Sequence, residues 1–191
     1  VTDKYVNGLM LLPWEARKLE KIAKRLGLKV DIKPQMGFGT KGRSRPRPKF
    51  IGTYQLANKR CPFLRKKKCR IYSQRPLVCK SYPISPMHSI GFVIEGFTIP
   101  FIFYGFDWKC PKVKEWQKIF EEKGLKENEE IPMEVLEELE LIEEAEAKAK
   151  INKYFTKLIL EYGNPDWIYD LKTMKWQPAP KPKYIGYTSI N

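Results

Sequence analysis

Apolar residues recur at helical spacing early in the chain. Ala16, Leu19, Ile22, Ala23 and Leu26 share one face of the segment Leu12 to Leu26, with Lys and Arg on the other. Pro13 suits the first turn of a helix and Gly27 its end, so the pattern predicts a helix there. Leu28 to Ile32 reads as a short strand. Gln35 to Lys49 (QMGFGTKGRSRPRPK) has no period and is rich in Gly, Pro and Arg, which predicts a loop. Phe50 to Leu56 predicts a strand, and Gly91–Glu95 with Thr98–Tyr104 a hairpin turning near Glu95-Gly96. A further helix is expected from Val113 to Lys123, with Trp116, Ile119 and Phe120 on its apolar side and Gly124 at its end. A long helix is expected from Pro132 to Tyr162, stopped by Gly163-Asn164-Pro165. Tyr154, Phe155 and Tyr162 read as its packing residues.

These elements predict an α+β fold: a small single domain, with cysteine-rich loops beside a small antiparallel sheet and about three helices covering it. At 191 residues and 42% hydrophobic, the chain can bury one real core. The expected division is a cysteine-cluster metal-binding domain over 1–165 and a Pro- and aromatic-rich tail over 166–191. That tail should pack on the domain, since disordered segments rarely carry so many aromatics. The most apolar stretch, FTIPFIFYGF (Phe97–Phe106), is too short for a membrane span and is broken by Pro100, so it reads as a buried strand. With no signal peptide in view, the expected location is cytoplasmic. The chain starts at Val1 rather than Met, so further residues upstream are expected.

Charge sharpens this picture. The formal net charge is +14 and unevenly spread. Residues 41–70 carry twelve Lys and Arg and no acid, whereas residues 121–150 carry twelve Glu against four Lys. The acidic block reads as a solvated helix face. The basic block, Lys41 to Arg70, can hold nucleic acid, an acidic partner or a negatively charged cluster. Within it Phe50 and Tyr54 are candidate base-stacking residues, which makes an RNA-binding module with a structural zinc site the alternative reading. The abundance of Lys and Glu resembles hyperthermophile usage.

The chemistry lies in the cysteines. Cys61, Cys69 and Cys79 fall in CPFLRKKKCRIYSQRPLVCKSYP, and Cys110 follows in CPKV. Four soft thiolates suit zinc or an iron–sulfur cluster. The close cysteine pairs of structural zinc knuckles are absent, as are the usual ferredoxin runs, so spacing alone does not choose a metal. Arg60, Arg65, Lys66, Lys67, Lys68, Arg70, Arg75 and Lys80 surround the three close cysteines. Such cations favour thiolate over thiol and offset the negative charge of a four-thiolate site. Two disulfides, or four buried thiols, remain open on the residues alone.

The segments Cys61-Pro62-Phe63-Leu64, Cys69-Arg70-Ile71-Tyr72, Arg75-Pro76-Leu77-Val78-Cys79-Lys80-Ser81-Tyr82-Pro83 and Cys110-Pro111 together resemble the second half of the YkgJ-like cysteine-cluster family. That family is regarded as zinc- or iron-chelating and is related to flagellin lysine N-methylase. Lys80 stands where the family usually has Arg. The resemblance implies a zinc ion or a [4Fe–4S] cluster held by Cys61, Cys69, Cys79 and Cys110, with an oxidoreductase-like role by family analogy. It also implies a tight Cys-x-x-Cys-x-x-Cys-Cys group ahead of the segment Leu11–Ala16. No cysteine precedes Leu11, so that group is expected either upstream of Val1 or to have been lost in this member.

Arg75 and Tyr82 are candidates to support the cofactor from behind the ligands by hydrogen bonds to sulfur, to bind an acidic substrate, or to brace the loop. Pro76 and Pro83 would stiffen the turns that aim Cys79. His88, in the loop SPMHS with no matching partner, reads as a surface residue or one just behind the ligands, and Trp108 as a shield for the site. No dinucleotide-binding fingerprint, Ser–His–Asp arrangement or general acid–base pair stands out. The substrate is open.

Overall fold

The computed structural model describes residues 8–40, 47–94, 97–107, 110–125 and 131–179. In chain order the strands are β1 (Leu9–Leu11), β2 (Ile32–Thr40), β3 (Pro48–Leu56), β4 (Leu64–Arg65), β5 (Lys68–Cys69), β6 (Ile84–Ile94), β7 (Phe97–Phe106), β8 (Trp167–Asp170) and β9 (Lys175–Pro178). The helices are α1 (Pro13–Arg25), α2 (Leu77–Lys80), α3 (Pro111–Glu115), α4 (Gln117–Glu122), α5 (Met133–Glu138) and α6 (Ile142–Tyr162). The fold is α+β, with six helices among the described residues. No helix among them is long and apolar enough to cross a membrane. The chain divides into two compact units. The first holds the described residues up to Pro76 and those from Leu158 onward, and the second runs from Leu77 to Lys157.

In the first unit, α1 forms as its pattern predicts. Pro13 opens it, the Glu15 carboxylate accepts the Leu12 backbone N–H at 2.9 Å, and Gly27 takes φ +63° after its end. Ala16, Leu19, Ile22 and Ala23 are buried against Leu11, Leu56, Phe63 and Ile71. The sheet beneath is antiparallel, in the order β1-β3-β2-β8-β9.

Two expectations change here. Leu28 to Val30 form no strand, and the strand starts at Ile32. It then runs through the Gly- and Pro-rich stretch expected to be a loop, as far as Thr40. Long-range pairing on both edges decides this, overriding weak local propensity. Register shifts on either side of Met36 absorb the irregular sequence. Gly37 is needed because a Cβ there would lie 2.3 Å from the Pro48 ring on β3. The turn residues 41–46 lie outside the described residues.

Gln55 ties this sheet together. It is fully buried, and its side-chain amide donates to the carbonyls of Pro34 (2.8 Å) and Tyr169 (2.9 Å). Its carbonyl oxygen accepts the Gly8 N–H at 2.7 Å. One side chain thereby satisfies three backbone groups on three segments.

In the second unit β6 and β7 form the expected hairpin, longer than the pattern suggested, with Ile84 opposite Phe106 at its base. Its turn at Glu95-Gly96 lies outside the described residues. Phe106, Phe120, Val113, Val135, Leu136 and Leu141 build the core, and Phe106 stacks on Phe120 at 4.9 Å. Both predicted helices of this half are interrupted. The first splits into α3 and α4 at Trp116. The second splits into α5 and α6, where Glu140 adopts φ +55°. Helical spacing is kept across each break, so periodicity alone could not show it.

Candidate metal centre

Cys61 and Cys69 belong to the first unit and lie on one small knuckle. The Leu64 N–H returns to the Cys61 carbonyl at 3.2 Å, and β4 and β5 then pair with Leu64 opposite Cys69. The Arg70 N–H donates to the Phe63 carbonyl at 2.8 Å and closes the hairpin. Buried Phe63 and Ile71 anchor the knuckle in the core. Cys61 is exposed and Cys69 half-buried.

Cys79 and Cys110 belong to the second unit and depend on distant pairing. Cys79 sits on α2, whose single turn closes with the Ser81 N–H on the Leu77 carbonyl at 2.8 Å. The chain then enters β6 at Ile84, while β7 leaves at Phe106, directly opposite. The Asp107 N–H donates to the Pro83 carbonyl at 2.9 Å, and the Cys110 N–H to the Asp107 carbonyl at 2.8 Å. Cys110 therefore leads α3 beside the 79–84 segment and is itself buried in the core. The Tyr82 hydroxyl donates a hydrogen bond to the Cys110 sulfur. That bond, with burial second, pushes the phenol up to about 12. The Tyr82-Pro83 peptide is cis.

All four thiols are free. Among the described residues no three His, Cys, Asp or Glu side chains gather as a ready-made metal cage. The donor set still fits the expected groups chemically, because four unoxidised thiols are the ligands that zinc and iron–sulfur clusters take.

The other candidates fall as follows. Tyr82 pairs with Cys110. Arg75 instead lies over the Tyr72 ring, 4.0 Å from its centroid. His88 lies in strand β6 rather than in a loop, since the long hairpin takes up the SPMHS stretch. Its side chain and Trp108 lie outside the described residues. Phe50 stacks on Tyr162 at 5.0 Å, and both are partly exposed, while Tyr54 packs against the α1 core. Sequence reasoning missed the pairing of Phe50 with Tyr162, which are 112 positions apart. A groove of about 470 Å³ between α1 and the sheet is lined by Pro13, Arg17, Glu20, Phe50 and Tyr54, among others.

A family model described as "Putative zinc- or iron-chelating domain", and named for a CxxCxxCC motif, matches residues 14–124. The match spans more than half of the chain and contains all four cysteines. The chain belongs to this family. The family's description names metal chelation and no methyl transfer. No curated protein and no solved structure matches the chain. Family membership supports metal binding in general, with zinc or iron as the metal.

Proposed function

We propose that this protein chelates iron as a [4Fe–4S] cluster, with Cys61, Cys69, Cys79 and Cys110 as thiolate ligands. The observation that carries the reading is a set of four free thiols within the family match, three of them in a segment crowded with cations. Arg60, Arg65, Lys66, Lys67, Lys68, Arg70, Arg75 and Lys80 would favour the thiolates and offset their charge. Zinc is the competing occupant. The cluster is preferred because its four corners accept thiolates set further apart than the donors of one ion, and this chain has no close cysteine pair.

When bound, such a cluster supplies one-electron chemistry. The chain's own residues would then hold it and tune it. The Tyr82 hydroxyl supports the reading because it already donates to the Cys110 sulfur, and a hydrogen bond to a ligand sulfur raises a cluster's reduction potential.

The test is metal and acid-labile sulfide analysis of protein purified without oxygen, with its absorption spectrum. Iron and sulfide in comparable amounts, with broad visible absorption lost in Cys79→Ser, are the expected result. Zinc in a colourless protein would replace the cluster by a structural ion. A metal-free wild type of undiminished stability would end the metal reading.

A further inference from the structure

The knuckle that carries Cys61 and Cys69 has a second property, independent of its sulfur. Its turn is Lys66-Lys67, and both residues adopt positive φ, +48° and +63°. A two-residue hairpin turn of this kind is normally filled by Asn-Gly or Gly-Gly, which take that backbone at little cost. Lysine gains nothing locally there. Strain held at a surface turn against such cheap alternatives points to a use for the side chains.

The surroundings indicate what that use is. Arg65, Lys66, Lys67 and Lys68 form four consecutive exposed cations at the tip. Lys59, Arg60 and Arg70 are exposed beside them in the chain. No acid occurs anywhere from residue 32 to residue 94. The ion pairs found among the described residues all lie elsewhere, on Lys33, Lys118, Lys123 and Lys150. Among the described residues, then, no ion pair engages the knuckle cations. Just beyond it Tyr72 is 64% exposed, with the Arg75 guanidinium over its ring.

We propose that this surface binds single-stranded nucleic acid, with the knuckle cations on phosphates and Tyr72 as a stacking platform for a base. An aromatic face flanked by guanidinium and ammonium groups is the arrangement that tracks a single strand without reading its sequence. A lipid surface fits less well, because Leu64 is the one large aliphatic side chain exposed on the knuckle and would anchor little. The inference is independent of which metal the cysteines hold.

The decisive variant is Lys66→Asn with Lys67→Gly. It removes two charges and installs the residues this turn prefers, so its melting temperature should not fall. Binding is measured by fluorescence anisotropy on the metal-loaded protein, using labelled oligouridylate and oligothymidylate of about a dozen nucleotides across a salt series. The wild type should bind at least one of them with strong salt dependence. The variant should bind roughly 10- to 30-fold more weakly near ~0.1 M salt, with a salt slope shallower by about 1 to 2. Tyr72→Ala should weaken binding roughly five- to a hundredfold while leaving the salt slope unchanged, and Tyr72→Phe should restore it. Wild-type affinity and salt slope in the lysine variant would overturn the proposal. So would binding to phosphatidylserine vesicles without binding to either oligonucleotide.

Discussion

The two cysteine pairs are built in opposite ways. Cys61 and Cys69 are eight residues apart, on a hairpin closed by three short-range hydrogen bonds or pairings, and their thiols are exposed or half-buried. Cys79 and Cys110 are 31 residues apart. The base of β6 and β7 sets the approach to Cys110 against Pro83, and Cys110 sits inside a core with Tyr82 on its sulfur. The first pair is a local device that needs little of the fold. The second is a product of long-range pairing, so its chemistry depends on the stability of its unit. The charges follow the same contrast, with an acid-free, Lys- and Arg-rich stretch of sequence in the first unit and the glutamate-rich helices α5 and early α6 in the second.

The largest test of this contrast is paired core truncation. Phe120 and Phe63 are both about as buried as side chains become, and replacing either with Ala should cost about 3–5 kcal/mol. Phe120→Ala should sharply increase labelling of Cys110 by a thiol reagent while leaving Cys61 as reactive as before. Phe63→Ala should act on Cys69, by a smaller factor, because that thiol is already half-exposed. Equal changes at all four cysteines in both variants would erase the distinction between the pairs.

A smaller effect is expected in the sheet of the first unit. Gln55→Leu should cost about 2–4 kcal/mol, since it strands the Gly8 N–H and the carbonyls of Pro34 and Tyr169. Hydrogen exchange should then speed up in β8 before α1. Unchanged protection of β8 would mean that this amide does not hold the strand.

The smallest effect sits on α6 and reads out by pH. Lys148 is buried, and desolvation lowers its ammonium from 10.5 to about 8. Between those values the unfolded chain binds the extra proton, so stability rises with pH across that window. Below about 8 both states are charged and the desolvation cost is fully present. Lys148→Met should therefore add roughly 1–3 kcal/mol at neutral pH and flatten the rise between pH 8 and 10.5. A denaturation series that keeps the same slope in the variant would show that Lys148 is not its source.

The residues by themselves determined what local chemistry can determine. The apolar stripe and end signals placed α1, alternation and turn residues placed β3 and the β6–β7 hairpin, and the cysteine segments carried the family resemblance. Charge counting located the basic surface without any coordinates. Tertiary structure decided the rest. It made a strand of Ile32–Thr40, because pairing with β3 and β8 outweighs the poor strand propensity of Gly and Pro. It broke two helices at Trp116 and Glu140, where spacing continues through a bend in the backbone. It brought the last strands, β8 and β9, into the sheet of the first unit and set Tyr162 on Phe50. It also turned Tyr82 toward the Cys110 sulfur and Arg75 toward Tyr72. Sequence carries the propensity of each residue and its near neighbours. Which distant segment supplies the missing hydrogen bond, ring or apolar face is settled only when the chain has closed on itself.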